Sequence, residues 1–300
     1  ADIGGRTPGS APPDSKTIQE EGVVIDNFKV VSRGNFKMQE TRDLLASGEF
    51  PCRNIDQNIK DLEAQIAANE TGIREVKRMI ENFSLNTVNA YMMHVQNNAE
   101  ASVRQVVGRL QDGEFVYPMD FNQKIKVQVR VDREKGSAEI DFTGTSLQGQ
   151  NNYNAPRSIC NAVVLYVFRT LVGSEIPLNE GCLKPLKIIA PNGSMINPKY
   201  PAAVIAGNTE VSQNMCDCLF GALGVIAGSQ ATMNNFVWGN NKFQNYETIA
   251  GGSGAGPGFN GMSGTQVHMT NTLMTDPEVL ESRFPVRLDV FSIRYGLSLI

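Results

Sequence analysis

The residue type best suited to proton transfer near neutral pH is rare in this chain. Only two histidines occur, and one of them, His268, lies in the string QVHMTNT beside Thr270 and Asn271. An imidazole among hydroxyl and amide groups favours general acid–base catalysis or substrate contact, with Thr270 and Asn271 as orienting groups. A lone histidine is also commonly a hydrogen-bonded structural residue, and the sequence leaves that alternative open.

A second group of polar residues occupies a stretch that otherwise lacks charge. The strings GNTEVSQNMCD and SQATMNN carry amide and carboxyl side chains that we take as candidate substrate-binding groups: Asn208, Glu210, Gln213, Asn234 and Asn235. Glu210 would be costly to bury without a partner. Capping of a helix by Asn208 or Thr209 is the alternative interpretation.

The glycine-rich string GGSGAGPGFNG (251–261) has the composition of a phosphate-binding loop but not its pattern. It contains no GKS or GKT and no helix pattern follows it, so we expect no ATP site here. A flexible loop is the simpler interpretation. A lid, or a loop whose Gly252 and Gly254 let backbone approach a ligand closely, is the functional one. Asp2 is the only early carboxylate beside glycines and is a further catalytic candidate.

Hydrophobic periodicity predicts the elements that position these residues. Apolar spacing of three, four or seven predicts a helix over 56–82 and another from Ser84 to about 111, which the short connection makes an antiparallel hairpin. Alternation predicts a strand hairpin over 124–132 and 137–144. The remaining predicted elements are helices at 155–172 and 210–227, a short amphipathic helix or a loop at 37–47, strands at 22–33, 186–190, 202–206 and 285–294, and paired strands within 231–250.

These elements indicate a mixed α/β (α+β) fold in which a long helical hairpin packs against β-sheets. We divide the chain into an N-terminal strand and loop segment (1–55), the helical hairpin (56–111) and a mixed α/β region that bears the site (112–300). Because the chain opens with ADIGGRTPGS, without Met and on what resembles a strand end, we expect it to be a piece of a longer polypeptide.

Composition excludes several function classes. With 41% hydrophobic and 19% charged residues the chain is not a disordered tail, and a net charge of −4 argues against nucleic acid or an anionic membrane as partner. The five scattered cysteines favour free thiols and a cytoplasmic protein, and Cys216-x-Cys218 fits a helix face better than a zinc site.

The charged residues are unevenly distributed along the chain. Of the 27 Lys and Arg and 31 Asp and Glu residues, only eleven fall within 143–275. That predicts either an amide-lined site or a large permanent interface.

Several strings together resemble one family along the whole chain. They are ADIGG-x-x-PGS, QEEGVVI, DLEAQIAAN, NAPR, PLNEGCLKP, SQATMNN, YETIAGGSGAGP and HMTNT. In this order and spacing the chain resembles the hydantoinase B family, and details such as EFPCRN and LVGSEIPLNEGCL are most similar to the B half of ATP-dependent 5-oxoprolinases. The match to His268–Thr272 and to Gly251–Gly258 includes the candidate site.

The resemblance implies an enzyme whose chemistry is divided between two parts. An A-type half binds ATP and phosphorylates the oxygen of a cyclic amide, and the B-type half completes ring opening, in this subfamily of 5-oxo-L-proline to glutamate. It therefore implies an A-type partner, a small lactam substrate and a homo- or hetero-oligomer. The rivals are a hydantoinase or ketone carboxylase subunit of the same family and a non-catalytic assembly subunit.

The resemblance also implies a divalent metal ion in the intact protein. The family's metal ligands lie just before the ADIGG string, so they are expected upstream of Ala1, Asp2 is at most a neighbour of the metal site, and residues 1–55 continue an upstream metal-site domain. Three positions depart from the family pattern. Gln266 stands where relatives usually have His, Ala231 stands where Gly is usual, and Arg294–Leu297 replaces a glycine-rich tail.

Overall fold

The computed structural model describes residues 2–240 and 243–293, except for the side chain of Gln244. The segment Arg294–Leu297, which stands where the resemblance implies a glycine-rich tail, lies outside this range. The helices are α1 Met38–Leu45, α2 Ile55–Phe83, α3 Leu85–Val107, α4 Arg157–Leu171, α5 Ser212–Leu223 and α6 Pro277–Arg283. The strands are β1 Val31–Ser32, β2 Asn35–Phe36, β3 Gly113–Pro118, β4 Lys124–Asp132, β5 Ser137–Asp141, β6 Leu186–Ile189, β7 Asn235–Gly239, β8 Gln244–Thr248, β9 Gly252–Ser253 and β10 Met262–Ser263. The predicted mixture of helix and strand is confirmed.

The largest sheet has the order β3–β4–β5–β6. The first two pairings are antiparallel and β6 runs parallel to β5. The alternating pattern of β4 places Ile125, Val127 and Val129 in the interior, each fully buried. Gly136, at φ +58°, supplies the left-handed backbone that the tight β4–β5 turn requires. The strand hairpin predicted from the sequence is thus present.

The main core lies where α3, α4 and α5 pack together with this sheet. It contains Val163, Phe168, Met215 and Leu219, all fully buried. A Cβ built on Gly221 would lie 3.0 Å from the Phe115 ring of β3, so a larger residue would require that ring to shift by a few tenths of an ångström. Helix α5, and with it the site, therefore lies close against the sheet.

All five cysteines are free and buried, as the composition predicts. Cys216 and Cys218 lie in the core on α5, so the C-x-C string is a packing feature. Burial raises the pKa of the Cys160 and Cys218 thiols to about 12. These thiols are therefore poor nucleophiles in the folded protein.

Helices α2 and α3 form the predicted hairpin but do not bury its whole apolar stripe. Ser84, at φ +71°, is the single residue between the two helices. At their far ends α2 packs Ile59 into a small cluster around Leu45, whereas α3 packs Val103 into the main core. Near the turn several large apolar side chains are exposed: Met79, Phe83, Leu85, Tyr91, Met92, Met93 and Val95. An amphipathic pattern identifies the face that avoids water, but not the surface that covers it.

Three predicted strands are wrong over most of their length. Within 22–33 only Val31–Ser32 pairs, because no other strand lies beside the rest. Residues 202–206 instead lead into a helix, since the buried Glu21 carboxylate accepts hydrogen bonds from the N–H groups of Val204 and Ile205 at 2.9–3.0 Å. Residues 285–293 form no strand, and Val290 and Phe291 in them are exposed.

Hydropathy along the helices bears on membrane insertion. None of the helices in the described ranges is both long and apolar enough to cross a bilayer.

Candidate active site

Helix α5 and the turn before it carry polar side chains on one face although they lie in the interior. Glu210, Gln213, Asn214 and Asp217 recur at intervals of three, four and seven residues, which places them on one side of a helix. The backbone of Gly207–Val211 forms a π-helical turn, an irregularity that is frequent at functional sites. We call these four side chains the polar face.

His268 is held against the polar face by a carboxylate. Its Nε2 atom lies 3.0 Å from Asp217 Oδ1, and the two side chains are 6% and 2% exposed. Asp217 also accepts hydrogen bonds from the N–H and the hydroxyl of Ser229 at 3.0 and 3.1 Å. The other ring nitrogen of His268, Nδ1, lies 3.3 Å from the Tyr166 hydroxyl. Asp217 therefore orients the imidazole, and Tyr166 is its second partner.

His268 borders a cleft of about 470 Å³. Its walls are mainly apolar and aromatic, and include Tyr166, Thr170, Phe220, Val267 and Thr270. Gln266 also lines it and donates to the Thr248 carbonyl at 3.2 Å, while its Oε1 atom is buried without a hydrogen bond to any described residue. At position 266, where the resemblance implies His, an acceptor is thus left without a partner among the described residues.

Gln213 joins two loops to the polar face. This fully buried side chain donates through Nε2 to Thr270 Oγ1 at 2.9 Å and to the Val267 carbonyl at 3.3 Å. Its Oε1 atom accepts from the Met269 N–H at 2.9 Å. A buried amide with this many partners fixes the backbone on both sides of His268. Gln213 and Thr270, both predicted site residues, are therefore in direct contact.

Glu210 lies in a second cleft, of about 520 Å³. One carboxyl oxygen accepts a hydrogen bond from the Thr232 hydroxyl at 2.9 Å. Burial raises the pKa of Glu210, and the Thr232 hydrogen bond only partly offsets this effect. The cleft is lined by Tyr117, Pro118, Met119, Asp120, Tyr153, Glu210, Asn214, Gln230, Ala231 and Thr232.

The glycine-rich segment is packed against the same region. Gly252 donates its N–H to Gln230 Oε1 at 2.6 Å. A Cβ on Gly254 would lie 2.0 Å from the Ala227 carbonyl oxygen, so only glycine fits there. The close backbone approach expected for these glycines is made to the chain itself. That contact anchors β9 beside residues 227–230.

The other predicted site residues lie around this centre or away from it. Asn234 has a left-handed backbone (φ +51°) and its carbonyl accepts from the Ile249 N–H. Asn235 opens β7 and its Oδ1 is buried without a partner among the described residues. Asn208 and Asn271 are exposed. Capping by Asn208 or Thr209 is wrong, because the helical backbone already begins at residue 205.

Asp2 braces the N-terminal loop. It accepts from the N–H groups of Gly4 and Gly9 at 2.8 Å and pairs with Arg53 at 3.1 Å. Burial acts to raise the pKa of Asp2, but these hydrogen bonds and Arg53 together hold it below the ordinary value. All its side-chain hydrogen bonds go to residues 4, 9, 10 and 53.

The implied metal ion does not fit the residues in hand. Within 2–240 and 243–293 no group of three or more His, Cys, Asp or Glu side chains is arranged to hold a metal ion. Asp2 already uses both carboxyl oxygens for backbone N–H groups and Arg53. We therefore derive no step through a metal from this chain.

The structure bears on Ala231, a position where the resemblance implies Gly. Ala231 has φ +62°, in the left-handed region where glycine is favoured. We expect Ala231→Gly to raise the free energy of unfolding by about 0.5–1 kcal/mol, because relief of strain outweighs the added freedom of the unfolded chain. Chemical denaturation monitored by circular dichroism measures this. The reverse substitution, Gly72→Ala at an exposed helical position, is the control. An Ala231→Gly variant that is less stable than wild type would contradict this expectation.

Sequence reasoning missed Tyr166, Asn214, Asp217 and Ser229. The polar spacing over 210–217 was the available signal for two of them, since it places Asn214 and Asp217 beside Glu210 and Gln213 on one helix face. Tyr166 and Ser229 reach the site only through the tertiary fold.

Comparison with known proteins places this chain in a family. The family model described as Hydantoinase B/oxoprolinase matches residues 1–298. The chain belongs to this family. A 5-oxoprolinase of Dictyostelium discoideum is 44% identical over 99% of the chain, which spans 24% of that relative's length.

Two solved structures share the fold of this chain. The ATP-dependent caprolactamase of Pseudomonas jessenii has a TM-score of 0.78 at 21% identity, covering 97% of this chain and 53% of that one. A nucleotide-free acetone carboxylase structure has a TM-score of 0.72 at 19% identity, covering 94% of this chain and 41% of the other. At these identities the likeness concerns the fold alone.

Proposed function

We propose that this chain is the B-type portion of an ATP-dependent cyclic-amide hydrolase that opens 5-oxo-L-proline to glutamate. The observation that carries the proposal is the 44% identity to a 5-oxoprolinase along 99% of the chain. The polar face supports it, because buried amide and carboxyl groups beside two small clefts suit a small polar ring.

The chemistry explains why two parts are needed. An unstrained five-membered lactam is a poor electrophile and its amine is a poor leaving group. Phosphorylation of its oxygen by an A-type half with ATP makes the ring carbon open to attack by water. The part assigned to this chain is to bind the ring, exclude bulk water and move protons. A sheltered site limits wasteful loss of the activated species.

His268 is the proton-transfer group that we assign to this part. Its ring is oriented by Asp217 through Nε2, and its Nδ1 atom meets the Tyr166 hydroxyl beside the cleft of about 470 Å³. A carboxylate that fixes one ring nitrogen leaves the other to exchange a proton with a group in the cleft. Thr270, placed by Gln213, lines the same cleft.

An assembly with an A-type partner is part of the proposal. The first fifteen residues of α3, 85–99, contain no Asp, Glu, Lys or Arg. Tyr91 and Met93 in this stretch are 67% and 61% exposed. A surface that is depleted of charge and rich in Met and Tyr is typical of the buried part of an interface.

The test uses the complete protein together with its A-type half. We expect ATP-dependent conversion of 5-oxoproline, with ADP and glutamate formed in equal amounts, and neither product when the A-type half is left out. Glutamate is measured by chromatography and ADP by a coupled assay. A parallel arm supplies acetone and labelled bicarbonate. Fixation of bicarbonate without ring opening would instead assign the chain to a carboxylase, the activity named for one of its structural neighbours.

A further inference from the structure

The cleft around Glu210 contains hydrogen-bonding groups that the protein itself leaves unused. Glu210 has one oxygen on the Thr232 hydroxyl, and its other oxygen has no hydrogen bond to the described residues. Asn214 is only 8% exposed, yet its side-chain amide likewise makes no hydrogen bond to them. Both residues line the same cleft of about 520 Å³. An acceptor and an amide donor, four residues apart on one helix face, are thus available to a ligand.

The charges of the cleft decide which part of a ligand can lie there. Its ionisable lining groups are Glu210, Asp120, Tyr117 and Tyr153, and its lining includes no Lys, Arg or His. Burial is the main effect that raises the pKa of Tyr153, and the nearby charges of Glu210 and Asp120 raise it further. Such a cleft favours an N–H or ammonium group, so the carboxylate of 5-oxoproline must point out of the cleft while the edge of the ring amide enters it.

A lactam fits this arrangement because its amide is cis. The ring N–H and the carbonyl oxygen lie on the same edge, a donor next to an acceptor. We propose, on the basis of the proposed function, that Glu210 and Asn214 bind this edge, with Glu210 on the ring nitrogen and Asn214 Nδ2 on the activated oxygen. Glu210 is then the catalytic residue that protonates the leaving nitrogen.

The step balances with two waters and the release of phosphate. The first water adds to the activated ring carbon to give a tetrahedral adduct that still carries the phosphoryl group. The C–N bond breaks, its electron pair goes to nitrogen, and nitrogen takes the proton of the Glu210 carboxyl. As the carbonyl re-forms, the hydroxyl derived from water returns a proton to Glu210 and an acyl phosphate remains. A second water, for which His268 is the proton-transfer group, hydrolyses the acyl phosphate to the side-chain carboxylate of glutamate and inorganic phosphate. Burial favours the protonated carboxyl that this step requires.

The variant Glu210→Gln tests the proton step. It keeps an acceptor for Thr232 and nearly the same volume, so we expect it to fold. Burial raises the pKa of Glu210 above the free side-chain value of 4.5, because the folded protein disfavours the charged form. Wild type therefore loses stability as pH rises from 4.5 through the raised pKa, whereas the variant, which has no carboxyl at this position, does not. We therefore expect Glu210→Gln to be at least as stable as wild type at neutral pH.

The readout is the ratio of ADP formed to ring opened in the complete enzyme with its A-type half. We expect Glu210→Gln to lower kcat for ring opening about 10²-fold or more, with KM within a few-fold, while ADP formation falls less, so that the ratio rises well above one. Asn214→Ala is expected to raise KM instead. Glu139→Gln, an ion-paired carboxyl on β5, is the matched control and should behave as wild type.

The outcomes separate this inference from the proposed function. If wild type opens the lactam and Glu210→Gln does so at an unchanged rate, or with an unchanged ratio, the inference is overturned and the proposed function stands. If wild type opens no lactam, the proposed function fails and the proton step fails with it. Calorimetric titration with 5-oxoproline then tests the binding edge alone. Equal affinity of wild type and Asn214→Ala overturns it, and weaker binding by Asn214→Ala beside nearly unchanged binding by Glu210→Gln supports it.

Discussion

Replacing Asp217 with alanine is expected to lower the free energy of unfolding by about 3–5 kcal/mol, because it removes one member of a buried charged or hydrogen-bonded pair. The Asp217 carboxylate is 2% exposed and accepts from His268 Nε2 and from both the N–H and the hydroxyl of Ser229. Alanine leaves these groups in the interior without their protein partner. Urea denaturation followed by circular dichroism measures the change.

A matched control separates this effect from the loss of any aspartate. Asp43 on α1 is exposed and accepts only from the Gln39 side chain at 2.8 Å. We expect Asp43→Ala to change the free energy of unfolding by no more than about 0.5 kcal/mol. Equal, small effects of the two variants would mean that the carboxylate does not hold the 229 and 268 segments on α5. The conservative variant Asp217→Asn should fall between them, since an amide can replace only part of the acceptor set.

The fold was predictable where local pattern and tertiary packing agree. The β4–β5 hairpin, α4 and the C-x-C helix follow from period and turn chemistry, and each lies in the main core. The strand predicted at 202–206 is wrong because a side chain far away in sequence, Glu21, accepts the N–H groups that a strand partner would have used. Apolar periodicity cannot report such a contact.

The site shows the same division between local and tertiary information. The sequence indicated His268, Gln213 and Glu210 from their types and neighbours. It could not indicate that Asp217 would meet His268, because these residues are 51 positions apart and only the packing of the C-terminal loop on α5 joins them. The candidate amides at Asn208 and Asn271 illustrate the converse, since a polar residue in a polar string can equally face solvent.

Backbone geometry links the strained positions to the polar face. His268, Ala231 and Asn234 all have φ between +51° and +62°, a region that costs non-glycine residues about 1–3 kcal/mol each. All three lie in loops that hydrogen bonds tie to Glu210, Gln213 or Asp217, either directly or through Thr232. The polar face therefore serves two purposes in this proposal. It stabilises loops that would not otherwise hold this conformation, and it presents polar groups to the clefts.

Replacing His268 with alanine is expected to lower kcat for ring opening by about 10²–10⁴-fold in the complete enzyme with its A-type half, the usual contribution of a positioned acid or base. A purely structural histidine gives a different result, in which stability falls but turnover by the folded fraction is retained. Both readouts are needed, because the ring also packs 5.3 Å from the Phe220 ring centre and its loss creates a cavity.

Chemical rescue distinguishes the two roles of His268. The alanine variant leaves a space bordering the cleft of about 470 Å³, so added imidazole can enter it from that cleft. We expect imidazole to restore part of the lost kcat in His268→Ala. It should leave His94→Ala unaffected, in which the second histidine of the chain, on α3, is removed.

The decisive comparison is with Asp217→Ala measured in the same assay. If His268 acts as the proton carrier that Asp217 orients, imidazole rescues the first variant and not the second, because a ring that enters without the carboxylate is not held in the required orientation. Unchanged turnover in folded His268→Ala would remove the catalytic role and leave the histidine as a structural link between the C-terminal loop and α5.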